Sequence, residues 1–334
     1  MIRRSIVLLG GPDSGKTNYI GRLWPSFKKR KGVLRADRLP DDIAYVDAAV
    51  EHLMQGSFAP RSDRNLEVGR ADFSISVRGS HGEGELTELM MPDISGELWT
   101  RMVATFEISQ EWLDVLKEAQ GAVVFVRACS DQIVQPLDWV TARNILRLDT
   151  LQDEPVPAGT VEANNDFNAV AGAGAPTAKV EGRAESLNGA GAVLELPSEP
   201  DLPTQVLLCE LLRYLEFCLS DRVDGGNPHV AIVVTAWDLL DAKTRAAGPM
   251  AYLKKEFPLF AGRLADTGRL DVKLFGLSVV GGDLEDDDGF RDRFLQSDIS
   301  EQGWSVYFDG ERLREDGDVM LPIAWAMGDQ IDRI

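Results

Sequence analysis

The sequence predicts an α/β fold built on a doubly wound, mostly parallel sheet with one antiparallel edge strand and a long insertion. Three observations predict it. Short apolar, β-branched runs alternate along the chain with longer stretches of helical periodicity. The first such run leads directly into a glycine-rich loop and then a helical stretch. Two strand-like runs, 66–77 and 85–91, are joined by Arg78-Gly79-Ser80-His81-Gly82-Glu83-Gly84, a link too short for a crossover helix. This pair therefore reads as a hairpin, and it supplies the antiparallel strand.

In chain order, Ser5-Ile6-Val7-Leu8-Leu9 is the first strand. It delivers the chain to GGPDSGKT at residues 10 to 17, a complete G-x-x-x-x-G-K-[ST] pattern. From Gly11 through Asp13 and Ser14 to Gly15 the loop turns successive backbone N–H groups inward, which makes a concavity for a β-phosphate at the start of the next helix. A side chain at Gly15 would collide with that phosphate. Lys16 reaches the β/γ oxygens, the Thr17 hydroxyl ligates Mg²⁺, and Asn18 continues the binding segment into a helix over 16–30. At Asp13 two readings stand: the carboxylate holds a monovalent cation near the phosphates, or it braces the turn.

A second helix follows at 41–55, then the hairpin, a helix at 97–119 and a strand at 121–127. Residues 151–204 break the alternation. Stretches such as Ala171-Gly172-Ala173-Gly174-Ala175-Pro176 bury too little apolar surface to offset ordering entropy, so the segment reads as a loosely ordered insertion within one domain spanning 1–334. The pattern resumes with a helix at 205–221, a strand at 229–235, a helix at 240–264, a strand at 271–278 and a helix at 319–333.

Composition narrows the function. Fifty-four acidic residues against 35 Lys and Arg give a net charge of -19, which disfavours nucleic acid and anionic membrane as partners. The apolar runs fall short of the ~20 residues of a membrane span. Cys129, Cys209 and Cys218 have no metal-ligand spacing and suit a reducing cytoplasm. His52, His81 and His229 are too scattered for a zinc site.

Two further motifs carry chemistry. Met91-Pro92-Asp93-Ile94-Ser95-Gly96-Glu97 ends the hairpin with D-x-x-G. A carboxylate at that strand tip can hold Mg²⁺ opposite Thr17, and the Gly96 N–H can approach a γ-phosphate. The strand from His229 ends in Thr235-Ala236-Trp237-Asp238. An aspartate there can accept from the N1–H and 2-amino group of guanine, or cap the following helix. The strand at 271–278 brings Ser278 and nearby N–H groups toward the same base.

This ordered set, GGPDSGKT, DISGE, TAWD and the strand end at Leu277-Ser278-Val279, resembles the Ras-like GTPases of the translation-factor-related P-loop class. More narrowly, GPDSGKTNYI, VVTAWD and Val319-Met320-Leu321-Pro322-Ile323-Ala324-Trp325 are similar to the bacterial double-GTPase proteins. The resemblance implies a Ras-like P-loop fold, GTP or GDP with Mg²⁺ as ligands, and protein partners such as an effector or GTPase activator. It also implies a place in a bacterial multi-component system, conflict or defence among them. Three departures bear on function. Ala236 stands where the wider family has a lysine stem against the base, so an ATPase remains an alternative. Glu97 stands where the best-known members orient water with Gln; it either positions water or opens the helix at 97. No Thr lies between Thr17 and Thr87 to serve the first switch; Ser57 and Ser62 are the available hydroxyls, and the loop 58–64 reads either as carrying Ser62 as metal ligand with Arg61 or Arg64 as a cis arginine, or as a polar loop. These departures keep open a second alternative, a nucleotide-binding scaffold with little or no hydrolysis.

Overall fold

The computed structural model describes residues 2–11, 13–38, 44–60, 72–79, 86–92, 96–105, 107–136 and 202–329. All of these except Pro136 belong to one compact unit, Met1–Gln135 with Leu202–Ile334; the second unit is Pro136–Asp201. Apart from Leu202, Pro203 and Thr204, the expected insertion at 151–204 lies outside the described residues.

The strands are β1 (Ile2–Gly10), β2 (Leu34–Arg38), β3 (Asp72–Gly79), β4 (Thr87–Pro92), β5 (Ala119–Arg127), β6 (His229–Thr235), β7 (Asp271–Ser278), β8 (Trp304–Asp309) and β9 (Arg312–Asp316). They form a nine-stranded sheet in the order β2-β3-β4-β1-β5-β6-β7-β8-β9. The centre, β4-β1-β5-β6-β7, is parallel throughout. The hairpin read from the sequence is β3–β4, antiparallel from Asp72↔Pro92 to Val77↔Thr87. Outside it lies β2, antiparallel to β3, so β3 is flanked rather than terminal. At the far edge β8 and β9 form a second antiparallel hairpin.

The helices are α1 (Lys16–Lys29), α2 (Ala44–Met54), α3 (Gly96–Thr105), α4 (Gln110–Glu118), α5 (Thr204–Cys218), α6 (Ala242–Ala247), α7 (Pro249–Glu256), α8 (Pro258–Arg263), α9 (Asp288–Leu295) and α10 (Leu321–Ala326). Both faces of the sheet are covered, which is the doubly wound arrangement. Along β1, Ile6 and Leu8 pack with Tyr19, Ile20, Leu23 and Phe27 of α1, while Val7 and Leu9 pack on the other face with Leu208, Leu212 and Leu215 of α5. A strand of period two that is buried on both faces reads as a near-continuous apolar run, and β6 is buried throughout with Val230 to Val234 all apolar.

Three expected helices are shorter or broken, each for a local reason. The stretch 97–119 divides into α3 and α4, and the Ser109 hydroxyl accepts from the Trp112 N–H to start α4 afresh. The stretch 240–264 divides into α6, α7 and α8, because Pro249 and Pro258 each open a new helix and cannot extend the one before. Of the stretch 319–333, the described residues, which end at Asp329, hold the short α10, opened by Pro322 and followed by Gly328 at φ 88°.

Val134 and Thr204, on either side of residues 137–201, are hydrogen-bonded to each other. The Thr204 N–H donates to the Val134 carbonyl at 2.9 Å, and the Val134 N–H donates to the Thr204 hydroxyl oxygen at 2.9 Å. The chain therefore leaves and re-enters the sheet unit at one point.

Candidate functional site

The site is assembled at the carboxyl ends of the parallel strands, where the open side of a doubly wound sheet gathers loops from several strands. Gly10 ends β1 at φ 156°, and a Cβ there would meet the Phe125 carbonyl oxygen at 2.7 Å. Asp13 (φ 64°) and Gly15 (φ 86°) then take left-handed conformations, and Gly15 caps α1. The left-handed turn at Gly15 aims the first N–H groups of α1 into the loop's concavity, which is the geometry that receives an anion.

Lys16 is nearly buried, and its ammonium donates to the Gly10 carbonyl at 2.7 Å, the Gly11 carbonyl at 3.2 Å and the Ser14 hydroxyl at 3.1 Å. Ser14 is buried and Gly11 exposed. Thr17 is half-buried at the second position of α1, a hard oxygen donor at the mouth of the loop. Both oxygens of Asp13 have partners. Its Oδ1 accepts from Arg127 at 3.0 Å and its Oδ2 from the Ser130 hydroxyl at 2.9 Å.

The base-side motif is locked to this loop. The Thr235 hydroxyl donates to the Ser14 carbonyl at 3.0 Å, a bond in the buried interior. Ala236 then turns left-handed at φ 53° and opens a single 3-10 turn, Trp237–Leu239. Trp237, the first residue of that turn, is fully buried and anchors it next to Asp238. A cleft of about 170 Å³ runs between the two motifs, lined by Gly15, Asn18, Phe58, Arg127, Asp238 and Val280 among others. The Asn18 side-chain oxygen accepts from the Ala59 N–H at 2.8 Å, which ties the segment carrying Phe58 to α1.

The structure thus brings Gly15, Asn18 and Asp238 to one cleft beside Lys16 and Thr17. Ser278 is different: it is fully buried, and its hydroxyl oxygen accepts from the Gly281 N–H at 2.9 Å. It shapes the 278–282 turn, whose Val279, Val280 and Gly282 line the cleft. Gly96 is the first residue of α3. Glu97 lies in α3 with its side chain outside the described residues, as do Arg61, Ser62 and Asp93 altogether. Among the described residues, no group of three or more His, Cys, Asp or Glu side chains is placed to hold a metal. Cys129, Cys209 and Cys218 are free thiols, and burial raises the pKa of each.

The sequence assigns no individual role to Arg127, Thr235 or Phe58, all of which line the cleft. Thr235 had a signal, since it begins the T-A-W-D run. Arg127 had a fainter one, a lone cation closing an otherwise apolar strand.

Fold and site together define a Ras-like P-loop nucleotide-binding protein. The Double-GTPase 1 family model matches residues 7–326, and the chain belongs to that family. It is accordingly a GTP-binding protein. Similar solved structures include the Arl6 BBS3 small GTPase from Trypanosoma brucei with bound GppNp, at 12% identity and TM-score 0.33, covering 90% of this chain and 99% of that one. The signal recognition particle receptor SRb-GTP/SRX complex from Chaetomium thermophilum is similar at 12% identity and TM-score 0.34, with 90% of this chain and 98% of that one covered. Roco2 RocCORdC of Methanosarcina barkeri bound to GDP is similar at 10% identity and TM-score 0.29, with 91% and 52% covered. No curated protein matches. Among the described residues no helix is long and apolar enough to cross a membrane.

Proposed function

We propose that the chain is a Mg²⁺-dependent GTPase that switches conformation with the state of its nucleotide and acts through protein partners. The observation that carries this reading is the hydrogen bond from Thr235 to the Ser14 carbonyl, which holds the base-side and phosphate-side motifs as two walls of one cleft. In this reading the Lys16 ammonium exchanges its loop carbonyls for β/γ-phosphate oxygens, so the loop supplies a pre-aimed cation. Asp238 accepts from the guanine N1–H and 2-amino group, contacts that adenine cannot return. Thr17 is the described residue that suits Mg²⁺, which takes a few hard protein oxygens alongside phosphate; Asp93 and Ser62 are the proposed further ligands. When bound, the metal supplies charge neutralisation on the phosphates.

The Gly96 N–H at the start of α3 is proposed to sense the γ-phosphate, with Glu97 positioning water and Arg61 offsetting phosphoryl charge. A role in a bacterial multi-component system, including defence, belongs to the same reading and rests on the resemblance alone. The test is nucleotide competition and phosphate release with Mg²⁺ for wild type and Lys16→Ala. The expected result is GDP displaced far better by GDP than by ADP, and GTP-dependent phosphate release that is lost in the variant. Equal phosphate release in both proteins removes the hydrolase; release from neither, with GDP still bound by wild type, leaves a scaffold; tighter ADP binding removes guanine selectivity.

A further inference from the structure

A carboxylate inside a phosphate-binding loop poses an electrostatic problem. Asp13 lies two residues before Gly15, on the stretch whose N–H groups face the anion, so its charge opposes the ligand's. The structure answers with a cation from a neighbouring strand. Arg127, the last residue of β5, donates to Asp13 Oδ1 at 3.0 Å, and among the described residues this is its one hydrogen-bonded partner. A guanidinium has five N–H donors, so most of its donor capacity lies beyond Asp13. It also lines the cleft together with Gly15, Asn18 and Asp238.

Adjacent strand ends divide the work. Arg127 and Thr235 are register partners in β5 and β6, and they hold consecutive loop residues: Arg127 holds the Asp13 carboxylate, Thr235 the Ser14 carbonyl. Ser130, three residues past Arg127, occupies the other carboxylate oxygen at 2.9 Å. Both oxygens of Asp13 are thereby engaged, and its side chain is turned toward the β5 end. The Asp13 and Arg127 side chains are 33% and 36% exposed, so the pair is only partly screened by water.

We propose that Arg127 is a nucleotide-positioning residue: it neutralises Asp13, keeps that charge off the phosphates, and holds the loop in its anion-accepting shape. This inference rests on the guanine-nucleotide reading above. It differs from a bracing role alone in one respect, because removing the acid should cure the loss of the arginine.

The experiment is stopped-flow release of a fluorescent GDP analogue from the full chain, for wild type, Arg127→Gln, Arg127→Lys and the double variant Asp13→Asn/Arg127→Gln, with thermal melts of each. Arg127→Gln is expected to release nucleotide roughly ten- to a hundredfold faster, since it leaves an unpaired like charge beside the phosphates. Arg127→Lys should recover part of that loss, and the double variant should return to within a few-fold of wild type. A double variant as fast as Arg127→Gln overturns the inference, as does an Arg127→Gln protein that releases GDP at the wild-type rate. If Arg127→Gln does not fold, the lysine variant and the double variant still decide it: release from the double variant far faster than from the lysine variant overturns the proposal. Wild type that retains no GDP overturns the guanine-nucleotide reading itself, and this inference with it.

Discussion

Gly276 lies in β7 under the indole of Trp237, where an added Cβ would come within 2.5 Å of the ring. Any side chain there displaces the indole next to Asp238. Gly276→Ala should therefore cost about 1–3 kcal/mol of stability through overpacking, measured by urea unfolding. It should also weaken GDP binding by titration, because Asp238 shifts with the indole. Unchanged affinity in a destabilised variant would separate Trp237 from base recognition. At this scale the phosphate loop was legible because it is local: one strand, eight residues and one helix contain its chemistry. Arg127 was not, since its partner Asp13 is 114 residues away and nothing in either neighbourhood names the other. Asp13 reads from the sequence as a cation ligand or a brace, and its contacts with Arg127 and Ser130 are too distant along the chain to be seen there.

At the scale of elements, the packing of α10 on β6 holds a titratable ring. His229 at the start of β6 stacks on Trp325 of α10 with ring centroids 4.1 Å apart, and its Nδ1 lies 2.8 Å from the Trp325 carbonyl oxygen. Arg222 contacts the ring's other nitrogen, Asp271 lies 3.7 Å from it, Asp224 is nearby, and Lys273 sits over the Trp325 ring. Burial lowers the His229 pKa below 6.5; the Trp325 carbonyl works against this and Arg222 adds to it. A depressed histidine binds its proton more readily in the unfolded chain. The stability it contributes is thus complete above 6.5 and declines as pH falls through 6.5 toward the folded value. Denaturant midpoints across that window should fall more steeply for wild type than for His229→Gln. Comparing the two removes the opposing effect of Asp318 and Asp329, whose carboxyl pKa values burial raises above 3.8. Element boundaries were legible wherever periodicity was long, and lost where single residues intervened. Pro249 and Pro258 cut one apparent helix into three, and the Gly310-Glu311 pair that turns β8 into β9 leads into a five-residue strand of mostly charged, exposed residues that does not look like one.

For the molecule as a whole, the hydrogen bonds between Val134 and Thr204 mark where the segment between them joins the sheet unit. We propose that 151–204 is an insertion in a single nucleotide-binding domain. Replacing residues 137–201 with a short Gly/Ser linker should then leave GDP affinity within a few-fold of wild type and change the melting temperature little, because closing a loop on a preformed neck costs only slightly more or less with length. Loss of nucleotide binding on replacement would show that the segment contributes to the site. The parallel centre of the sheet was legible from its unbroken β-branched runs, whereas β2, Leu34–Arg38, alternates buried and charged residues over five positions and gives no such run.

The bond between Thr235 and Ser14 joins residues 221 positions apart. During synthesis the phosphate loop emerges 221 residues before the strand end that leads into Asp238. An early nascent chain has a loop for phosphate and no grip on a base. Guanine nucleotide, in the reading proposed here, is thus a ligand of the folded unit alone, and its binding free energy adds to the folded state only once these two motifs have met.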